Sequence, residues 1–358
     1  MRYEVDFLPV GDSFGDAIVI RYGDDESGYW LHVVDGGRTD ASQTIIDHIE
    51  KYYAGYFINH MVLSHADNDH ACGLVDVLRH FEVKNLWMNR PWLYASEVLH
   101  HFHGNFTLQG LIGAMKERHP YLVELEQIAI EKGTQIREVF QGTKIGRFTA
   151  LAPSRQRYVD LIPDFEKTPT SYKTEEVASE PFGFLKFLVE AAKQWLDEKW
   201  DVETLSDNPQ PPTSASNESC VVQYAQLGEG DGHGVLLTAD VGPAGLTEAA
   251  DYAHALQLPM PTFVQMPHHG SRHNVTPAVL DRWLGTRKTE GTHIGTSFCS
   301  IGANKPDYPR GQVRNAFIRR GFKVYATRTG WLSHYSGGGH PGVVPATPED
   351  FASKVEAP

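Results

Sequence analysis

The feature that most constrains this chain is a dense group of ionisable residues directly after a short apolar run. His60–Ser64 has the composition of a buried strand, and four of the next six positions are His65, Asp67, Asp69 and His70. Apolar residues at helical spacing begin shortly afterwards. We therefore expect a strand, a polar loop and a helix, with two imidazoles and two carboxylates on the loop.

This group has a chemical and a structural interpretation. Imidazole and carboxylate ligands together suit Zn²⁺, Mn²⁺ or iron, and two such sets can hold a pair of metal ions roughly 3.5–4 Å apart. Alternatively, the loop is a polar turn in which Asp69 caps the following helix. One cap accounts for a single carboxylate and leaves Asp67 and both histidines unexplained. The sequence therefore favours a metal site.

Two later segments repeat the pattern of polar residues after an apolar strand. Leu236–Thr238 leads to Asp240, and Val264–Met266 leads, after one proline, to His268 and His269. Taken alone, Asp240 is more readily explained as the first residue of a turn, and a lone histidine is more often structural. Two adjacent histidines followed by Gly-Ser are less easily explained that way, so we expect both segments to contribute to the same site.

Predicted strands and helices alternate through both halves of the chain, which indicates the α/β class. Two segments depart from this pattern. Residues 90–132 look mainly helical, whereas residues 154–218 carry thirteen acidic residues against seven basic ones. We interpret the second segment as an acidic insertion or lid, with a helix predicted over Phe182–Lys199 and a docking surface for a protein partner as one use of it.

Composition narrows the class of protein. The chain has 358 residues with 32 Lys and Arg against 45 Asp and Glu, a net charge of −13, which argues against a surface that coats nucleic acid. Three cysteines without a C-x-x-C pair exclude a disulfide framework and a cysteine-rich zinc module. No run approaches the roughly 20 apolar residues of a membrane span, and no signal peptide is evident. We expect a cytoplasmic protein without a membrane association.

Taken in order, these motifs resemble the metallo-β-lactamase fold, most closely the metallohydrolase domain of the competence protein ComEC. That group reads Ser-His-x-Asp-x-Asp-His, with Asp where the common signature has its second His, and Asp67 occupies this position. Other matches follow in family order between about residues 3 and 335: Gly15–Ala17, Asp35–Gly37, Asn217–Ser219, Leu236–Asp240, His268–Ser271, Ser300–Asn304 and Val324–Thr327.

The resemblance implies a four-layer αββα sandwich over residues 1–340, interrupted by the helical and acidic insertions and followed by a tail at 341–358. It also implies two divalent metal ions, Zn²⁺ or Mn²⁺. One ion would be held by His65 and Asp67 and the other by Asp69 and His70. Asp240 would bridge the ions, and His268 rather than His269 would complete a sphere.

A water shared by two cations loses a proton near neutral pH, and the resulting hydroxide would attack the substrate while Asp69 orients it. The sequence departs from the ComEC motifs at two positions, because Ala239 stands where that group has a glycine and Tyr308 stands where it has a histidine. Tyr308 or Lys305 would then take over its task. The residues that we predict to contact substrate are Asn217, Ser219, His269, Ser271, His273, Lys305 and Tyr308.

The final basic segment suggests the substrate. No acidic residue occurs between Tyr308 and Thr347, although the segment carries five arginines and Lys323. Such cations could hold phosphates, so we predict a phosphodiesterase, most directly a nuclease that cleaves DNA. A carboxylic-ester or lactone hydrolase acting on a small molecule is the alternative, because this fold supports many chemistries. A partner-binding subunit without turnover is the third.

Overall fold

The strands assemble into two seven-stranded sheets and one short ribbon. The computed structural model describes residues 1–102, 106–169, 195–328, 330–341 and 344–357. The first sheet has the order β15-β1-β2-β3-β4-β5-β6, the second β14-β13-β12-β11-β10-β8-β7, and β9 pairs with β16. The strands are β1 Arg2–Phe7, β2 Ala17–Asp24, β3 Gly28–Gly36, β4 Ile58–Val62, β5 Val83–Trp87, β6 Gln135–Arg137, β7 Lys144–Ile145, β8 Phe148–Ala152, β9 Trp195–Asp197, β10 Val222–Gln226, β11 Gly234–Leu237, β12 Phe263–Gln265, β13 Gly295–Cys299, β14 Phe322–Ala326, β15 Leu332–Ser336 and β16 Lys354–Glu356.

The helices connect the strands and cover the outer faces of the two sheets. They are α1 Ser42–Tyr52, α2 Asn68–His80, α3 Ala95–Val98, α4 Leu108–Arg118, α5 Pro120–Lys132, α6 Arg155–Leu161, α7 Ala215–Glu218, α8 Pro243–Ala255, α9 Pro277–Leu284 and α10 Gly311–Arg319. Within the described ranges, no helix is both long enough and apolar enough to cross a bilayer.

Alternating side chains show that both sheets are buried on both faces. Val19 packs with the helices of the first half, whereas its neighbours Ile18 and Ile20 pack against the second sheet. In the second sheet, Leu236 faces helices and Val235 faces the first sheet. This period-two alternation places an apolar layer between the sheets and another outside each one. The predicted αββα sandwich is therefore confirmed.

Parallel pairing brings the predicted site segments to one place. Strands β3, β4, β5 and β6 are parallel to one another, and so are β11, β12, β13 and β14. The carboxyl ends of parallel strands share one edge of a sheet, and ligands typically bind beyond that edge. The polar loops after β3, β4, β11 and β12 all leave the sheets at such edges.

The acidic segment differs from its prediction where the structure describes it. Trp195–Asp197 is a strand that pairs with Lys354–Glu356, so the helix predicted over Phe182–Lys199 is wrong at its carboxyl end; residues 182–194 lie outside the described ranges. The two strands of this ribbon lie far apart in the sequence. No local pattern reveals a partner more than 150 residues away.

Candidate metal centre

The loop after β4 presents the first group of candidate ligands at the start of α2. Helix α2 begins at Asn68, which puts Asp67 at the N-cap position and Asp69 in the first turn. The Asp67 side chain makes no capping hydrogen bond; its Oδ1 atom accepts one from Ser216 at 3.0 Å. The alternative in which Asp69 caps the helix is therefore wrong, and both carboxylates remain available for other chemistry.

Three histidines share one hydrogen-bonding arrangement. The Nδ1 atom of His70 donates to Asp35 Oδ2 at 2.7 Å, and that of His269 donates to the Ser300 carbonyl oxygen at 2.7 Å. The Nδ1 atom of His65 lies 3.0 Å from Ser64 Oγ. All three Nε2 atoms are buried without a hydrogen-bond partner. An imidazole whose Nδ1 donates to a partner keeps a lone pair on Nε2, which is the usual state of a metal-ligating histidine.

Asp35 fixes the orientation of two of these side chains. Its carboxylate accepts hydrogen bonds from the Ser64 backbone N–H at 2.7 Å and the Ser64 hydroxyl at 2.6 Å, besides the one from His70. Because that hydroxyl donates to Asp35, its oxygen is free to accept from His65. A single buried carboxylate thus sets the ring positions of His65 and His70.

Asp240 lies at the centre of the group. Its Oδ2 atom is 3.4 Å from the Nε2 atoms of both His70 and His268, and its Oδ1 atom is 3.5 Å from His269 Nε2. Oδ1 is buried and has no hydrogen-bond partner. Each of these nitrogen–oxygen distances exceeds a hydrogen bond and leaves room for a cation between the atoms. These contacts make Asp240 a candidate ligand, and the bridging role that the resemblance implies for it stays a prediction.

The ligand atoms fall into overlapping sets within 4.8 Å. One set contains His65, His70 and Asp240, and a second contains Asp69, His70 and His269. A third joins Asp240 to His268 and His269. The shared members join these sets into one continuous group of candidate ligand atoms.

The structure makes Asp67 a weaker candidate ligand, and His269 a stronger one, than the sequence predicts. Asp67 belongs to no such set among the described residues; its Oδ2 atom lies 3.5 Å from His65 Nε2, at the border of the group. His269 has the tethered Nδ1 and the buried, unpaired Nε2 of a ligand, whereas the His268 side chain is 34% exposed. We therefore place His269, which the sequence analysis assigned to substrate, beside His268 in the candidate ligand set.

The electrostatics of the group favour a cation. Burial opposes charge on His70, but the carboxylates of Asp240 and Asp35 outweigh it and raise the pKa of His70 well above its ordinary value. Burial alone would raise the pKa of Asp240, yet three adjacent imidazoles hold it well below its usual range. Burial lowers the pKa of His269 to about 4. The field that draws a proton to His70 would also stabilise a divalent cation at its Nε2 atom.

The predicted substrate residues lie at different distances from the ligands. Asn217 Nδ2 is 3.3 Å from His268 Nδ1, and its Oδ1 atom is buried without a partner. Ser219 is buried and donates to the Ser216 carbonyl oxygen, so it shapes the loop around α7. Ser271 likewise serves the turn after His269, because its Oγ atom accepts from the His273 backbone N–H at 3.4 Å.

The remaining predicted contacts form a rim around Phe14. This ring stacks on His269 at 5.1 Å between centroids, and Tyr308 meets its edge at 4.7 Å. Lys305 Nζ lies 4.6 Å from the centre of the Phe14 ring. The His273 Nε2 atom lies 3.3 Å from Arg272 Nε, and burial lowers the pKa of His273. Lys305 and Tyr308 are thus connected to the candidate ligands through one aromatic ring.

Sequence reasoning missed the residues that hold the later ligands in place. Asn274 donates to the Asp240 carbonyl oxygen at 2.7 Å, and its Oδ1 atom is 2.9 Å from His268 Nδ1. Gln265 accepts from the backbone N–H groups of Thr238 and Ala239 and donates to Asp16 at 2.8 Å. Asn274 follows the His-His-Gly-Ser motif by three positions, and this proximity was the only available signal.

Backbone strain concentrates in the same loops. Among the described residues, five non-glycine positions have a positive φ, and four of them flank the group: Asp35, Ala239, His268 and His269. Left-handed backbone conformations cost free energy in such residues and persist where surrounding contacts enforce them. The φ of +47° at Ala239 explains why the resembled group has glycine before its bridging aspartate.

The basic segment predicted to hold phosphates is largely neutralised, and that interpretation is wrong. Arg319 is fully buried, pairs with Glu198 and donates to the Trp200 carbonyl oxygen at 2.9 Å. Arg320 is also buried and lies 2.7 Å from Glu203. The other paired arginines are Arg310 with Glu356, Arg314 with Glu349 and Arg328 with Glu349. Glu198 and Glu203 are distant in sequence, and Glu349 and Glu356 lie just beyond Thr347, so the segment carries no carboxylate of its own.

Comparison with known proteins found solved structures of similar fold, but no matching family model or curated protein. Solved structures similar to it are metallo-β-lactamase fold proteins. YhfI of Bacillus subtilis shares 10% identity over 94% of this chain and 100% of its own, with a TM-score of 0.41. Metallo-β-lactamase SMB-1 bound to 2-mercaptoethanesulfonate shares 10% identity over 88% of this chain and 93% of its own, with a TM-score of 0.32.

A motif variant of a metallo-β-lactamase from Cronobacter sakazakii shares 11% identity over 73% of this chain and 75% of its own, with a TM-score of 0.30. Similarity at this level carries no information about substrate. The evidence for the layered fold is the pairing and alternation of the strands, and the evidence for a metal centre is the donor set. The closer resemblance to ComEC stays a prediction.

Proposed function

We propose that this chain is a metal-dependent hydrolase. The observation that carries the proposal is the convergence of three buried, unpaired Nε2 atoms on the carboxylate of Asp240. Buried polar atoms without partners are costly, and a divalent cation satisfies such nitrogen and carboxylate donors together. The donor set therefore fits the metal pair that the sequence motifs imply. Bound divalent cations would lower the pKa of water and neutralise charge developing on substrate oxygens.

The residues of the chain would divide the remaining work. Asp35, Ser64 and Asn274 hold the imidazoles in fixed orientations, so the site is organised before substrate arrives. Asp69 lies on the first turn of α2 with a half-buried side chain, within 4.8 Å of donor atoms of His70 and His269. In this proposal, Asp69 would orient an attacking water and accept its proton.

We further propose that the substrate is a phosphodiester, with DNA as the first candidate. With the arginines of the last segment neutralised, the support narrows to two lysines. Lys305 lies over the Phe14 ring, and Lys167 donates to the Ala66 carbonyl oxygen at 2.6 Å and lies 3.9 Å from Asp67. A lysine beside an acidic metal centre supplies the positive charge that a phosphate group requires. Zn²⁺ and Mn²⁺ are both proposed as the cation, since the carboxylates make the donor set hard.

The test is a cleavage assay on reconstituted protein. Chelated protein is reloaded with Zn²⁺ or Mn²⁺ and incubated with plasmid DNA, single-stranded DNA and a neutral lactone. We expect cleavage of at least one DNA substrate, and a severalfold lower rate on DNA with the Lys305→Gln variant. Because a neutral lactone has no phosphate, its turnover would not depend on Lys305. His254→Gln, which changes an exposed histidine on α8, is the matched control.

The possible outcomes test the phosphodiester substrate and the metal dependence separately. Lactone turnover without DNA cleavage would overturn the phosphodiester assignment and support the small-molecule hydrolase. Absence of bound cation in protein purified without chelator and reloaded with either metal would overturn the metal-dependent mechanism. A chain that binds metal yet turns over none of the three substrates would favour the partner-binding alternative over both hydrolases.

A further inference from the structure

A second histidine–carboxylate cluster occurs where three distant parts of the chain meet. Asp6 lies on β1, His48 on α1, and His340 four residues after β15. One ligand atom from each lies within 4.8 Å of the others, and all three residues are buried. This peripheral cluster shares no residue with the candidate metal centre. No motif in the sequence marks it, because His48 and His340 are almost 300 positions apart.

The donor atoms of the peripheral cluster crowd around a single oxygen. Asp6 Oδ2 is 2.9 Å from His48 Nε2, 2.8 Å from His340 Nε2 and 2.5 Å from the Tyr53 hydroxyl. The Tyr53 hydroxyl is in turn 2.9 Å from His340 Nε2. Asp6 Oδ1 is buried and has no hydrogen-bond partner. One carboxylate oxygen thus receives three donors while the other receives none, so hydrogen bonds alone do not complete this buried group.

Aromatic side chains surround the two imidazoles of the peripheral cluster. The His48 ring lies 4.8 Å from Tyr52 and 5.0 Å from Trp331, and the His340 ring contacts the same two side chains. Arg21 approaches the Tyr53 ring at 5.5 Å, but its guanidinium forms a bidentate pair with Glu4. The negative charge of Asp6 is therefore left to the two imidazoles and the phenol.

We propose that Asp6, His48 and His340 form a second, structural site for a divalent cation of the Zn²⁺ type. Two imidazole nitrogens and one carboxylate are a common zinc donor set, and the Tyr53 hydroxyl is within reach as a fourth group. On binding, each imidazole presents its Nε2 lone pair and carries its proton on Nδ1. The cation would join the first strand, the first helix and the segment after the last strand of the first sheet. The proposal is independent of the catalytic activity proposed above.

Metal content per chain tests this site directly. Wild-type protein, the double variant His48→Gln with His340→Gln, and His254→Gln are chelated, reloaded with Zn²⁺ and freed of excess metal. We expect the double variant to bind one Zn²⁺ per chain fewer than wild type, and His254→Gln to match wild type. Equal zinc content in all three proteins would overturn the proposal and identify the cluster as a hydrogen-bonded network.

A second measurement needs no variant and remains decisive if the double variant fails to fold. Wild-type crystals grown with Zn²⁺ are measured at the zinc absorption edge. We expect an anomalous peak about 2.0–2.2 Å from ligand atoms of Asp6, His48 and His340. A peak near Asp240 without one at the peripheral cluster would overturn the second site and leave the proposed function intact. A peak at the peripheral cluster without one near Asp240 would support the second site and overturn the metal-dependent mechanism proposed above.

Discussion

The two histidine–carboxylate clusters use the same residue types in opposite ways. In the candidate metal centre, the Nδ1 atoms of His70 and His269 donate to protein acceptors, and their Nε2 atoms have no partner. In the peripheral cluster, the Nε2 atoms of His48 and His340 themselves contact a carboxylate. In the first cluster, a bound cation would give the buried Nε2 atoms the partner that they lack. In the second cluster, the Nε2 atoms can hold either protons or a cation.

This difference indicates which cluster is built for chemistry. A cation at the peripheral cluster must displace hydrogen bonds to Asp6, so we expect weaker binding there than at Asp240. In the part of the chain that the structure describes, no non-glycine residue with a positive φ belongs to the peripheral cluster. Its cation would support the fold, and the central cations would act on substrate.

The largest effect is expected from Asp240→Asn. Replacing the carboxylate that faces three imidazoles should lower activity by more than about 100-fold, since even residues behind metal ligands are worth roughly 10–100-fold. Activity and zinc content per chain are the measurements, with circular dichroism as the check on folding. Zinc at the peripheral cluster should be retained. Full activity in this variant would show that Asp240 is not part of the centre.

A smaller loss is expected from Asp35→Asn. The amide tolerates the positive φ at this position, but it accepts from Ser64 and His70 less strongly than a carboxylate does. Metal affinity or kcat should fall by about 10–100-fold. A Zn²⁺ titration compared with that of Asp47→Asn, an exposed position on α1, measures it. Equal affinities would mean that orientation of His70 does not depend on Asp35.

Asp6→Asn should separate stability from catalysis. It weakens three hydrogen bonds to a buried carboxylate, and bonds to a charged group contribute about 1.5–3 kcal/mol each. We expect the free energy of unfolding of chelated protein to fall by about 2 kcal/mol, as measured by urea titration. The kcat of reloaded protein should stay unchanged. A loss of kcat as large as that of Asp240→Asn would show that the clusters are not independent.

The smallest effect is expected from Ala239→Gly. Glycine relieves the left-handed strain at φ +47°, worth about 1–2 kcal/mol, but it adds unfolded-state entropy and removes a buried methyl group. The free energy of unfolding should therefore change by less than about 1 kcal/mol. Thermal unfolding measures it, with Ala303→Gly at an exposed position as the control. A loss of several kcal/mol would mean that the Ala239 methyl group, rather than the turn, matters.

The sequence was informative where function follows from strand order. His65 to His70, Asp240 and His268 each follow an apolar strand, and parallel pairing places such loops together, so a shared site could be predicted from these residues. The αββα layering was predicted from the family resemblance. Side chains that hold the candidate ligands through tertiary hydrogen bonds could not be predicted. Gln265 and Asn274 look like ordinary polar residues until the Thr238–Asp240 turn is seen beside them.

Ion pairs were the least predictable contacts. Arg319 and Arg320 seemed to belong to an open basic surface, but their partners Glu198 and Glu203 lie in the acidic segment more than 110 positions earlier. Glu198 and Glu203 are therefore paired within the fold, and the docking role predicted for the acidic segment stays a prediction. Two charge runs of opposite sign in one chain were the available clue.

The pairing of β1 with β15 has a consequence for how the protein is made. Tyr3 is aligned with Ser336, so β1 leaves the ribosome more than 300 residues before the strand with which it pairs. At ordinary rates of synthesis that interval is on the order of tens of seconds. During it, one edge of β1 offers unpaired backbone groups, which are templates for aggregation. Production at low temperature or with chaperones should therefore improve the soluble yield of the full chain.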